Sequence, residues 1–282
     1  MKPIPQHRLD DAARRLMARG AELARRDAFD ITCTDFLSPR EQRLFHAAVA
    51  GEGQGDRLFF CGGARGAERR CAVLVPEWFL GDAPGGDPFG DEREAFFFSL
   101  MEEGTVDLSD FISALTLAGS DYACLSHRDW MGAILAMGLK RDVLGDIAVL
   151  DEHRAIAFCT KQIAPFITDT LTRAGSDAVH AAATELPYGF TVPRAFLDVE
   201  VTVASPRLDG VVRALTNLSR ADASDLVRAG EVELNYFPEE NTDADVTDGD
   251  VLSIRGFGKY IIDSANTVTR RGRNRLRARK YN

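Results

Sequence analysis

The chain has little that would suggest a membrane, secreted or metal-dependent protein. No uninterrupted apolar stretch approaches the roughly 18 residues of a membrane-spanning helix. The five cysteines contain no Cys-x-x-Cys pair, and the five histidines are scattered, so the sequence predicts neither a disulfide framework nor a zinc site. The first residues lack the apolar core of a secretory signal. We therefore expect a cytoplasmic protein with reduced, mostly buried thiols and no metal.

The sequence also lacks a recognisable catalytic motif. His127-Arg128-Asp129 matches the His-Arg-Asp triplet of protein kinases, but position 134 is isoleucine where a kinase needs asparagine. Ser126, His127 and Asp129 lie in one helical turn and point in different directions, so they cannot form a proton relay. Residues 256–258 lack the Lys-Ser/Thr ending of a phosphate loop. The sequence therefore predicts no catalytic residue, cofactor or small-molecule substrate.

Charge is distributed unevenly along the chain. The formal net charge is −9, which by itself disfavours a nucleic-acid partner. Residues 264–282, however, hold seven cations and no acidic residue, while residues 1–263 carry 27 basic and 43 acidic side chains. The sequence therefore predicts a local basic surface on an acidic body.

The length of 282 residues suits two or three small domains, and the patterns favour three. Residues 1–90 are predicted to combine a mainly helical region over 7–50, with a second helix beginning at Ser38-Pro39, and a small sheet. Residues 91–190 form the predicted middle domain and residues 191–282 the last one. The expected fold class is α+β.

The middle part shows strand and helix signals in the order β-α-β-β-α-β. The predicted strands cover 111–117, 145–150, 155–160 and 177–184, and the predicted helices cover 126–137 and 162–173. This is the order of the ferredoxin-like fold, which many RNA-binding domains share.

The last part carries two basic patterns. Ser219 begins a predicted helix in which Arg220, Ser224 and Arg228 recur every four residues, so they are predicted to share one phosphate-binding face. The tail has an arginine at every second position, and an extended chain would place five of them on one side as a phosphate-binding ribbon: Arg271, Arg273, Arg275, Arg277 and Arg279. A solvated helix face and a frayed terminus are the alternative interpretations.

Several motifs in this last part follow a specific order. They are Pro206-Arg207-Leu208-Asp209, Leu218-Ser219-Arg220, the stretch 226–235 and the stretch 248–255. Together they resemble the S-four RNA-binding domain, which is named for small-subunit ribosomal protein four and is also found in pseudouridine synthases. The resemblance implies RNA contacts by Arg207, Arg220, Arg228 and Asn235.

Three further segments extend the resemblance over nearly the whole chain. They are residues 62–70, residues 126–147 and residues 253–260. With the last domain they resemble the YlmH-like bacterial RNA-binding proteins. The resemblance implies a non-enzymatic cytoplasmic factor, encoded near cell-division genes, that binds large ribosomal subunits blocked by peptidyl-tRNA and takes part in ribosome-associated quality control.

If the resemblance holds, the expected partners are ribosomal RNA and tRNA. The middle domain is then predicted to supply a second RNA-binding surface with Arg128, Lys140 and Arg141. Two alternatives stay open at the level of sequence. One is an RNA-modifying enzyme, because the S-four domain is often joined to such enzymes. The other is a cell-division interaction protein for which RNA is incidental.

Overall fold

The computed structural model describes residues 9–26, 29–81, 83–120, 122–268 and 274–281, with residues 266–268 described by their backbone alone. The chain divides into two compact units, Met1–Pro193 and Arg194–Asn282. Both combine helices with antiparallel sheets, so the predicted α+β class is confirmed. The further division of the first unit near residue 90 stays a prediction. Within the described ranges, no helix has the length and apolar character of a membrane span.

The N-terminal part of the first unit is a three-stranded sheet with helices packed around it. Its elements are α1 (Asp11–Ala24), β1 (Thr32–Leu37), α2 (Pro39–Gly51), β2 (Leu58–Cys61), β3 (Arg70–Leu74) and α3 (Asp91–Glu102), with the strands in the order β1-β3-β2. Ser38 caps α2 as predicted, and the Glu41 carboxylate accepts a hydrogen bond from the Ser38 backbone N–H at 2.6 Å. The helical prediction for 7–50 is wrong at β1, because that strand forms through pairing with the distant β3.

The middle part has the predicted ferredoxin-like topology. Its elements are β4 (Ile112–Gly119), α4 (His127–Ala136), β5 (Leu144–Val149), β6 (Arg154–Thr160), α5 (Ala164–Thr170), β7 (Arg173–Ala174) and β8 (Asp177–Thr184). The strands lie in the order β5-β6-β4-β8-β7 and every neighbouring pair is antiparallel. Ser126 caps α4 and Asp129 completes the reciprocal capping box, which explains the Ser-His-Arg-Asp sequence structurally.

Both faces of this sheet are packed near its centre. Alternate residues of β4 and β6 point toward α4 and α5, where Trp130 is fully buried. The intervening residues Ile156 and Phe158 point to the other face and pack against Phe36 and Cys71 of the N-terminal sheet. Gly63 is part of this contact: its φ is +86°, and a Cβ there would lie 2.6 Å from the Phe158 ring.

Arg69 joins the two sheets of the first unit through backbone carbonyl groups. Its guanidinium donates hydrogen bonds to the carbonyl oxygens of Phe36, Arg141 and Leu144 at 2.9–3.0 Å. In return, the Asp146 carboxylate accepts from the backbone N–H groups of Glu68 and Arg69 at 2.7 and 3.0 Å. The sequence motifs 62–70 and 126–147 therefore meet at this junction.

The C-terminal unit is a six-stranded sheet with two helices on one face. Its elements are β9 (Phe196–Val203), α6 (Leu208–Thr216), α7 (Arg220–Arg228), β10 (Val232–Leu234), β11 (Phe237–Pro238), β12 (Val251–Ile254), β13 (Gly258–Val268) and β14 (Asn274–Tyr281). The strand order is β11-β10-β12-β13-β14-β9. Residues 274–281 of the basic tail therefore form β14, which pairs with strands on both sides.

The core of this unit fixes which side chains of β14 face the helices. Leu276 and Ala278 are buried with Val211, Val212 and Val227 of the two helices. Because successive strand residues point to opposite faces, the arginines between them point away from the helices.

Candidate nucleic-acid interface

A cleft of about 660 Å³ lies in the C-terminal unit between α6, the start of α7 and the end of β9. Arg207, Arg213 and Arg220 line it. The buried side of α6, with Leu208 and Val211 facing the core, leaves Arg213 exposed on the outer side. The cleft thus brings together three guanidinium groups from two helix starts and one helix end.

Arg213 and Arg220 supply positive charge that the protein leaves available. Both side chains are exposed. Neither guanidinium has a hydrogen-bond or ion-pair partner among the residues that the structure describes. Arg220 is also the first residue of α7, whose cap Ser219 accepts from the Asp222 N–H at 3.2 Å. A helix N-terminus carries a partial positive charge, so this end of the cleft suits phosphate.

Arg213 does not figure among the residues predicted from the sequence, which centred on α7. The signal that marks it is its outward position in the last turn of the amphipathic α6, opposite Leu208, Val211 and Val212. Asn217 follows in the left-handed conformation, with φ of 58°, and turns the chain so that α7 starts beside Arg213 in the same cleft.

Arg207 is held in place by carboxylates. Its guanidinium donates to both carboxylate oxygens of Asp209 at 3.2 Å and forms an ion pair with Asp243. The hydrogen bond with Asp209, reinforced by the two negative charges, raises the pKa of Arg207 above its ordinary value. Arg207 therefore shapes the cleft while its charge is largely offset.

The predicted face of α7 is only partly realised. Arg228 is exposed and makes an ion pair at 3.3 Å with Asp225, which is itself exposed. Ser224 is only 8% exposed and lies on the buried side of the helix with Ala223 and Val227. The prediction of a solvent-facing hydroxyl between the two arginines is therefore wrong, because the helix packs on the sheet through that side.

Asn235 lies inside the protein, where its side chain holds a turn together. It is 8% exposed; its amide nitrogen donates to Asp250 at 2.7 Å and its amide oxygen accepts from the Val251 N–H at 3.1 Å. Asn235 and Tyr236 both have positive φ, at 54° and 70°, and join β10 to β11. An RNA contact by the Asn235 amide is therefore not supported, since both of its ends are already bonded.

Three of the five arginines of the predicted row lie on one side of β14, where carboxylates flank them. Arg275 and Arg277 pair with Glu200 on β9 at 3.2 and 3.4 Å, and Arg279 pairs with Asp263 on β13 at 2.9 Å. Arg271 and Arg273 lie outside the described residues. Since these arginines point away from the helices, the row lies on the face of the sheet opposite to α6 and α7.

The middle domain exposes two of its three predicted RNA-binding cations. Arg128, in the first turn of α4, and Lys140 are exposed. Arg141 instead donates to the carbonyl oxygens of Leu144 and Gly145 at 3.2 and 3.0 Å. Burial and the nearby Arg69 lower the pKa of Arg141 to about 10. Burial and, to a smaller extent, Arg141 also lower the pKa of His127.

Two buried thiols and the spacing of possible metal ligands bear on covalent and metal chemistry. Cys61 and Cys159 are buried, and burial raises the pKa of each thiol to about 12, so neither is a thiolate near neutral pH. In the described ranges, no three His, Cys, Asp or Glu side chains are grouped closely enough to bind a metal ion.

An exposed cationic cleft on one unit, together with a ferredoxin-like domain in the other, is typical of an RNA-binding protein. Residues 110–187, which span the ferredoxin-like sheet, match the family model described as "Putative RNA-binding domain in YlmH". The chain is 32% identical over 256 residues to the Ribosome-associated protein quality control protein P2 of Bacillus subtilis (strain 168), covering 89% of this chain and 87% of that protein. The chain therefore belongs to the YlmH-like family of RNA-binding proteins, as its motifs predicted.

A solved structure, that of the cell division protein ylmH from Streptococcus pneumoniae, is 19% identical to this chain. The match covers 65% of this chain and 96% of that one, with a TM-score of 0.42.

Proposed function

We propose that this protein is a non-catalytic factor that binds ribosomal RNA and/or tRNA on the large ribosomal subunit and acts in the quality control of stalled peptidyl-tRNA complexes. The observation that carries the proposal is the cleft in which Arg213 and Arg220 present two guanidinium groups that have no partner among the described residues. The Bacillus subtilis relative, whose name assigns it to ribosome-associated quality control, supports the ribosomal setting. Such a factor works in the cytoplasm.

The charge distribution supports binding through the C-terminal unit. Residues 1–193 carry 20 basic and 29 acidic side chains, whereas residues 194–282 carry 14 of each. An RNA is therefore repelled by most of the first unit and meets its most favourable potential where cations are unpaired. In the second unit the cleft provides such cations, because most other described arginines of that unit lie beside a carboxylate.

The residues of the cleft divide the work of recognition. Arg213 and Arg220 contact phosphates, and Arg207, fixed by Asp209 and Asp243, maintains the shape of the wall. Arg228 contributes from the last turn of α7 after releasing Asp225, an exchange between exposed groups that costs little. In the first unit, Arg128 and Lys140 form the second, weaker surface on the helical side of the domain.

Co-sedimentation with purified large ribosomal subunits, empty or carrying peptidyl-tRNA, tests this function. The full chain is compared with an Arg213→Ala/Arg220→Ala variant over a range of salt concentrations. Because each lost phosphate contact lowers the slope of log affinity against log salt by about 0.7 to 0.9, the double variant is expected to lower it by roughly 1.4 to 1.8. Arg19→Ala, which removes an exposed cation from α1, is the matched control.

Preferential migration with subunits that carry peptidyl-tRNA, weakened in the double variant and unchanged in the control, is the expected result. If the folded protein migrates with neither kind of subunit at low salt, the ribosomal assignment is wrong. If it migrates but the double variant keeps the full slope, RNA binding stands and the cleft is not its site.

A further inference from the structure

An apolar groove of about 410 Å³ lies in the first unit, on the N-terminal side of β4. Its floor consists of side chains that are at most 3% exposed, among them Phe98, Val106 and Leu108. Met101 from the end of α3 and Tyr188, which is 47% exposed, form parts of its walls. A volume in this range accommodates one or two large side chains of a ligand. None of the predicted RNA-binding residues lines this groove.

The rim of the groove is strongly acidic. Asp107 and Glu185 line it directly, and three more exposed carboxylates lie within two residues of the lining residues Met101 and Ser109 in the sequence: Glu102, Glu103 and Asp110. Within the described part of the chain, none of these five forms an ion pair. The Ser109 N–H donates to Asp107 at 2.8 Å and thereby lowers the pKa of that carboxyl, so it is ionised at neutral pH.

The cations near the groove are fewer than its carboxylates. Arg93 is the one arginine or lysine between residues 91 and 110, against seven acidic residues. It is 5% exposed, and its guanidinium donates to the carbonyl oxygens of Asp56, Leu58 and Pro84. Two other cations lie close to the groove: Lys161 acts electrostatically on Asp107, and the Arg65 guanidinium lies 5.6 Å from the centre of the Phe98 ring. A local excess of negative charge therefore surrounds an apolar floor.

This combination selects among possible ligands. The phosphates of RNA would be repelled by five carboxylates, and a purely apolar ligand would leave them unused. A polyamine would satisfy the carboxylates but gain nothing from Phe98, Val106 and Leu108. A basic polypeptide segment gains from both, because lysine and arginine meet the rim while one large apolar side chain fills the groove.

We propose that this groove is a docking site for a basic polypeptide segment with a large apolar anchor residue, supplied by a protein partner. The proposal concerns a different unit and a different ligand class from the RNA cleft. It therefore stands or falls separately from the proposed ribosomal function.

Fluorescence anisotropy with a labelled synthetic peptide in which lysines and arginines flank a single Leu-Phe pair tests the proposal on the full-length protein. Two comparison peptides keep the length: one replaces the basic residues with glutamate, and one replaces Leu-Phe with Ser-Ser. Only the original peptide, which has both the basic residues and the Leu-Phe pair, is expected to bind, and its affinity should fall as the salt concentration is raised. Unlabelled spermidine serves as the polyamine competitor.

Asp107→Asn/Glu185→Gln is expected to weaken binding about fivefold, which corresponds to about 1 kcal/mol for the loss of two exposed charge pairs together. The double change Glu77→Gln/Asp169→Asn removes the same charge from exposed sites elsewhere in the unit and should leave affinity unchanged. Tyr188→Ser is expected to weaken binding, whereas Tyr122→Ser, at a tyrosine that is 86% exposed, serves as its control.

Equal binding of the Ser-Ser peptide, or full displacement by spermidine, would show that the rim attracts cations without using the groove and would overturn the proposal. Equal effects of the groove variants and their controls would overturn it as well. Because Asn and Gln keep the size of the acids they replace, circular dichroism of the variants verifies that the fold is intact.

Discussion

Replacing Asn235 with alanine separates a structural role of this residue from an RNA-binding one. In the structure Asn235 lies in the turn that joins β10 to β11, and its amide bonds to Asp250 and Val251 at the start of β12. We therefore expect Asn235→Ala to destabilise the C-terminal unit and to leave the RNA affinity of the folded protein nearly unchanged. The resemblance to the S-four domain implies the opposite order of effects.

The magnitude follows from three losses. The hydrogen bond to the Asp250 carboxylate contributes about 1.5–3 kcal/mol, and the bond to the buried Val251 N–H about 1 kcal/mol. Alanine at φ 54° costs about 1 kcal/mol more than asparagine, which tolerates the left-handed region. The sum is roughly 3–5 kcal/mol, a large fraction of the stability of a small domain.

Asn217 provides the matched control. It is also an asparagine in the left-handed conformation, with φ of 58°, but its side chain makes no hydrogen bond to any described residue. Asn217→Ala should therefore cost only the backbone part, about 1 kcal/mol. The difference between the two variants isolates the hydrogen-bonded bridge.

Urea unfolding combined with hydrogen exchange of β12 measures the effect. Both tryptophans, Trp78 and Trp130, lie in the first unit, so their fluorescence follows that unit and should not change. Exchange of the β12 amides and the change in circular dichroism report the second unit. If Asn235→Ala loses less than about 1 kcal/mol relative to Asn217→Ala while RNA affinity falls tenfold, the structural role assigned to Asn235 is refuted.

Three other predictions follow from the structure. Arg277→Ala should lower the slope of log RNA affinity against log salt by much less than the value for one phosphate contact, because Glu200 already offsets the charge of this arginine. A decrease of about 0.7 or more in an anisotropy titration would instead support the predicted phosphate-binding ribbon. Gly63→Ala should destabilise the first unit by at least about 2 kcal/mol, because its φ of +86° disfavours a side chain and a Cβ would lie 2.6 Å from the Phe158 ring. Gly51→Ala, with open space around its Cβ position, should not destabilise the unit. Urea unfolding followed by tryptophan fluorescence measures both variants. The free energy of unfolding of the first unit should rise between about pH 5 and pH 7, because burial lowers the pKa of His46 and His127 in the folded state and the unfolded chain therefore binds more protons in that window. The urea midpoints measured at the two pH values should converge in a His46→Gln/His127→Gln variant. An undiminished difference between the midpoints would contradict this cause.

Local patterns in the sequence were sufficient for much of the fold. The ferredoxin-like order, the capping boxes at Ser38 and Ser126 and the α+β class follow from hydrophobic spacing and helix-start chemistry, which act within a few residues. Strand β1 and the place of the tail as β14 do not follow, because both depend on pairing with strands far away in the chain.

The family, and with it RNA binding, could likewise be predicted from motif order, since the same side chains recur at the same spacing. Which of those side chains can reach an RNA was decided by tertiary packing. Ser224 is buried because its helix face packs on the sheet, and Asn235 is buried because its amide bonds within the fold. Arg141 donates its hydrogen bonds to nearby backbone carbonyl groups. Arg213 becomes part of the cleft only because the turn at Asn217 brings two helices together. The tail arginines of β14 point away from those helices because successive residues of a strand face opposite sides of the sheet.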